Sequence, residues 1–136
     1  YRGLAESIRV DQRTTFHGYE PVSAEAFRAA DVFVYPNDYD PFGMVATEAM
    51  ATGIPVVLGR EIGAAELVDH GRNGLLCDQQ DAASIREQLA RLATDPETAI
   101  AMGLAARATI EQYTWAVCAE ETWRVYEQVF REKRAP

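Results

Sequence analysis

Residues 32–58, VFVYPNDYDPFGMVATEAMATGIPVVL, constrain the fold more than any other stretch of this chain. They read as strand, loop, helix, turn and strand. Residues 32–35 are β-branched and aromatic, and Pro36, which has no amide hydrogen to give to a ladder, closes them. A polar loop follows over residues 37–40. Residues 41–52 then hold mostly strong helix formers, among them Met44, Ala46, Ala49, Met50 and Ala51, with no breaker in the interior. Gly53 suits the left-handed position that ends a helix. Residues 55–58 are continuously apolar, the pattern of a strand buried on both faces in a parallel sheet covered by helices.

A helix that starts just beyond the carboxyl end of a parallel strand turns free backbone N–H groups and a partial positive charge toward the crevice where such sheets bind ligands. Gly43, read as part of the first helical turn, leaves the backbone open to an anion, and Asp40 and Glu48 bracket that turn with carboxylates. Two readings stand side by side: a site for a phosphate-bearing ligand, or a helix start that the fold owns without using. Asp40 divides the same way. An aspartate followed by proline before a helix is an ordinary N-cap, and it is also a carboxylate placed to meet a ligand.

Residues 40–48, DPFGMVATE, resemble the acidic-x7-Glu motif of the group 1 (family 4) glycosyltransferases. The likeness runs on through EAMATGIPVV and GRNGLLC to the final helices and covers nearly the whole chain. It implies an α/β fold, a Rossmann-like parallel sheet with helices on both faces, forming part of the C-terminal, donor-binding half of a GT-B transferase. It implies transfer of a sugar, with retention of anomeric configuration, from a nucleotide-diphosphate-sugar donor to an acceptor such as a glycan or lipid-linked sugar. In that family the first acidic residue, here Asp40, faces the hydroxyls of the donor sugar as the catalytic carboxylate. The second, here Glu48, binds the ribose hydroxyls, a pairing of acceptor with vicinal donors. The amides of Gly43, Met44 and Val45 would meet the diphosphate, with Phe42 packed beside them and Gly18 near the base. No metal and no cofactor are implied. Two departures stand out: Asp40 is one methylene shorter than the usual glutamate, and in EIGAAELV Ile62 takes the place of the first of two glycines, so a close backbone approach is not expected there. Glu66 matches the acidic position of that segment and reads as a helix-surface residue.

The remaining chain supports one α/β domain over residues 1–136. A short helix at residues 4–8 precedes a strand at 13–16, which would place His17, Gly18 and Tyr19 at the ligand edge. Ser23 reads as the N-cap of a helix through Ala30. A turn at residues 70–74 leads into a last strand at 75–77, making four strands alternating with helices and joined by right-handed crossovers. Asp81 caps a helix over residues 82–94, and Asp95 and Pro96 open another that runs to about Gln112. Trp115 reads as a core anchor. From it to Arg131, apolar residues recur at three and four, as in an amphipathic helix. That terminal helix, residues 115–136 with a frayed tail, lies on its own domain or crosses to another, as it does in two-domain transferases of this kind.

With 48% apolar residues the chain is able to build a core, and a net charge of −8 argues against nucleic acid and anionic membrane surfaces as partners. No apolar run is long enough for a transmembrane segment. Cys77 and Cys118 offer neither a disulfide framework nor metal-ligand spacing, which points to a reducing cytoplasm. The chain opens in mid-pattern at Tyr1, so the expectation is a piece of a longer protein whose diphosphate-clamping basic residues and N-terminal acceptor-binding domain lie upstream. On that view residues 1–136 alone transfer nothing. A non-catalytic nucleotide- or sugar-phosphate-binding module on the same fold is the alternative, and a nucleotide-sugar epimerase a third reading.

Overall fold

A computed structural model of the chain describes residues 1–18 and 23–134. Three parallel strands, β1 (Phe33–Tyr35), β2 (Val56–Gly59) and β3 (Leu75–Cys77), form one sheet in the order β1-β2-β3. Phe33 pairs with Val56 and Val57 with Leu75, so β2 is the central strand. All four of its residues are buried, as its unbroken apolar run requires.

Helices cover both faces. Helix α2 (Ala24–Arg28) and helix α3 (Met44–Thr52) pack Phe27, Ala46, Ala49 and Met50 against Val56 and Leu58 on one side. Helix α4 (Ala82–Thr94) closes the other, where Leu92 meets Val57, Leu75 and Cys77. Helix α5 (Pro96–Ile110) bridges the two, giving Ala106 to the first cluster and Met102 to the second. The caps are those the side chains favour: Ser23 accepts from the Ala26 amide, Asp81 from Ala83 and Asp95 from Thr98.

The expected strand at residues 13–16 is not in the sheet. Helix α1 (Arg2–Ser7) and a 3-10 turn, Asp11–Arg13, precede an irregular segment over residues 14–18. Phe16 is tied to α1, its carbonyl accepting from Arg2 at 3.3 Å and its ring lying 5.0 Å from the Arg2 guanidinium carbon. β-Branched residues favour a ladder only where a partner strand is offered, and none among the described residues pairs with Thr14 and Thr15. Tyr19 lies outside the described residues.

Trp115 is not a core anchor. It begins helix α6 (Trp115–Arg134) and is 81% exposed, and every described side chain of α6 through residue 133 is exposed with it. Among the described residues no helix is long and apolar enough to cross a membrane.

Candidate functional site at the carboxyl edge of the sheet

The loop that leaves β1 is shaped by Asp40. Its Oδ1 accepts from the amides of Phe42 at 3.1 Å and Gly43 at 2.7 Å, while Oδ2 accepts from the Tyr35 hydroxyl at 3.0 Å. Asn37 donates its side-chain N–H to the same hydroxyl at 2.9 Å. The Phe42 amide first, then the Tyr35 hydroxyl, hold the Asp40 carboxyl below its ordinary value against desolvation, with the Gly43 amide contributing least.

This local closure makes α3 start later than expected. Gly43 is not in the first turn but is the N-cap, with φ 82° and ψ 54°, a left-handed conformation that glycine adopts without strain. Its amide is occupied by Asp40. The amides of Met44 and Val45 come next, at the first two helical positions, where an α-helix has no internal partner to give them. Among the described residues no side chain caps α3. Asp40 therefore closes the approach loop one residue short of the helix's own free donors.

The loop after β2 locks the loop after β1 in place. Asp40 and Ile62 form a parallel bridge, the Gly63 amide donates to the Asp40 carbonyl at 3.3 Å, and Ala64 donates to the Phe42 carbonyl at 2.5 Å. Ile62 is buried, and its Cδ1 is 3.4 Å from where a β-carbon on Gly43 would stand. The close approach that Ile62 put in doubt is made by its neighbour: a β-carbon on Gly63 would stand 2.4 Å from the Pro41 carbonyl oxygen. Gly63 opens a 3-10 helix, Gly63–Leu67, which carries Glu66 on its exposed side.

Glu48 lies one turn beyond Met44, and both are exposed on α3. Phe42 is 47% exposed and so is only partly packed, while Val45 is half-buried. The structure thus brings Asp40, Phe42, Gly43, Met44, Val45 and Glu48 onto one loop and one helix start. Gly18 sits on the irregular segment before α2, exposed, with φ 76°. Tyr35 and Asn37, which the sequence reading did not single out, join Asp40 through the Tyr35 hydroxyl. An apolar cleft at the opposite end of the sheet is lined by Val32, Pro55, Leu89 and Ile100, with Asp31 as its polar side chain among the described residues.

A parallel sheet covered on both faces, with a free helix start at its carboxyl edge, is the architecture of GT-B glycosyltransferases, and solved members of that class superimpose on it. Sucrose-phosphate synthase from Thermosynechococcus elongatus matches 96% of this chain and 34% of its own, with a TM-score of 0.83 and 33% identity. Anabaena HepE in complex with UDP and glucose matches 94% of this chain and 34% of its own, with a TM-score of 0.80 and 25% identity. In sequence, the D-inositol 3-phosphate glycosyltransferase of Corynebacterium efficiens is 38% identical over 130 residues, 94% of this chain and 31% of that protein. The family description "Glycosyl transferases group 1" matches residues 1–109, and the chain belongs to that family. It spans about a third of the length of the curated relatives it matches.

Proposed function

We propose that this chain is the donor-binding part of a retaining glycosyltransferase that moves a sugar from a nucleotide-diphosphate donor to an acceptor such as a glycan or lipid-linked sugar. The observation that carries the reading is the start of α3, where Met44 and Val45 present helix-terminal amides that no side chain among the described residues caps and Glu48 stands exposed one turn on. Two such N–H groups and the helix dipole suit a diphosphate, and they suit it better as charge builds on the leaving group. The Glu48 carboxylate takes the ribose hydroxyls and Asp40 the donor sugar. UDP and glucose bound to the HepE relative make a uridine nucleotide the first donor to test.

Because Asp40 already holds the amide of Gly43, the diphosphate is assigned to Met44 and Val45 alone. The exposed apolar residues of α6 support a chain that works with a further domain, and residues 1–136 by themselves are expected to transfer no sugar. A non-catalytic binding module keeps one specific observation in its favour: both Asp40 oxygens already accept hydrogen bonds from the protein. The two readings share the nucleotide and differ in turnover.

The test is an NMR titration with UDP, GDP and ADP that follows the amides of Met44 and Val45. Saturable shifts at these two amides with one nucleotide are expected. A folded sample whose amides stay fixed with all three at millimolar concentration would remove the donor assignment.

A further inference from the structure

The hydrogen bonds at Asp40 run in one direction only. An Asn37 N–H is able only to donate, and an ionised carboxylate only to accept, so the Tyr35 hydroxyl between them must accept from the first and donate to the second. The ring that carries this hydroxyl is braced in turn. Tyr35 stacks on Phe33 with centroids 5.9 Å apart and planes at 25°, and Phe33 meets Phe27 edge-on at 5.5 Å and 80°. A chain of contacts thus leads from α2 through β1 to a single carboxylate oxygen.

That oxygen differs from its twin. Oδ1 accepts two backbone N–H groups, which fill its lone pairs, whereas among the described residues Oδ2 accepts only the Tyr35 hydroxyl and keeps one lone pair. Asp40 is partly exposed, so this lone pair is open to a ligand. We infer that Tyr35, with Asn37 behind it, is the positioning residue of the donor site, holding Asp40 so that one lone pair of Oδ2 is left for a hydroxyl of the donor sugar. The inference rests on the donor reading above. It also accounts for the short side chain, since an aspartate clasped by Tyr35 and two amides stands in a fixed place where a longer side chain would need different partners.

Tyr35→Phe removes the hydroxyl and keeps the ring stack, and Asn37→Ala removes only the group behind it. The measurement is the carboxyl 13C titration of Asp40 in the 136-residue chain, joined to affinities for UDP and UDP-glucose. In Tyr35→Phe the Asp40 midpoint is expected to rise toward the ordinary aspartate value of about 3.9. Asn37→Ala should raise it less. Affinity for UDP-glucose should fall about fivefold in Tyr35→Phe, the loss of one oriented hydrogen bond, with affinity for UDP unchanged. An unmoved Asp40 midpoint in a folded Tyr35→Phe protein overturns the inference, as does an equal loss for UDP and UDP-glucose. If the parent chain binds neither nucleotide, the donor reading fails instead, and the titration still reports separately whether Tyr35 holds Asp40.

Discussion

Two polar side chains outside the candidate site hold the β3 approach in register. Asn73 is buried and uses its whole amide: Nδ2 donates to the Leu67 carbonyl at 3.0 Å and to Thr109 Oγ1 at 2.9 Å, and Oδ1 accepts from the Asp69 amide at 2.7 Å. Asn73→Ala would strand these partners in a dry place and is expected to cost about 2 kcal/mol in urea unfolding. His70 accepts from the Leu76 amide through Nδ1 at 2.9 Å, a bond that only the neutral ring makes. Desolvation, then Arg91 and Arg60, lower its pKa in the folded chain. The unfolded chain therefore takes up the proton first, so stability is complete above the ordinary histidine value near 6.5 and declines as pH falls through it toward the folded value. Unfolding midpoints between pH 8 and 5 should show that decline in the parent and lose it in His70→Gln.

Among the elements, the tightest joint lies between α3 and α5. A β-carbon on Gly103 would stand 2.1 Å from the Gly53 carbonyl oxygen, so α5 rests directly on the turn that ends α3. Gly103→Ala is expected to destabilise by about 1–3 kcal/mol through overpacking, although alanine is the better helix former, and chemical denaturation would show the sign. If the variant were as stable as the parent, the helices would not be in this contact. Most of the elements were legible because local chemistry and tertiary demand agree. The apolar run ending at Leu58, the Asp81 cap and the Asp95-Pro96 start each state one conformation. Disagreement arose where tertiary context outvoted local propensity: Asp40 took the Gly43 amide and α3 starts at Met44 instead of Pro41, and residues 13–16 lie outside the sheet despite their β-branched and aromatic side chains. The candidate site was legible as a motif, but its support was not. Tyr35 and Asn37 act through the fold, and Gly63 is needed because the loop at Pro41 lies against it, a relation no spacing reveals.

At the scale of the molecule, the two apolar clusters that sandwich β2 draw on α2 to α5 and the 3-10 helix, and α6 contributes to neither. Its stability comes from within. Thr114 Oγ1 accepts from the Val117 amide at 3.3 Å, and Arg124 pairs with Glu120 at 2.7 Å and Glu121 at 2.6 Å. Such pairs give only about 0.2–0.5 kcal/mol each on an exposed helix, and most helical stability in proteins comes from packing an amphipathic face, which α6 does not do against either cluster. Trp123, Tyr126 and Val129 meanwhile remain exposed as an apolar stripe at helical spacing along it. The core and α6 should therefore melt independently. Removing residues 115–136 is expected to leave the unfolding free energy of the remainder within about 0.5 kcal/mol of the parent while lowering the helical signal at 222 nm. It should also suppress any self-association that rises with concentration, because the stripe is the large apolar surface that the deletion takes away. A loss above about 1 kcal/mol would show that α6 packs on the domain in solution, and would count against its serving as the bridge to a further domain.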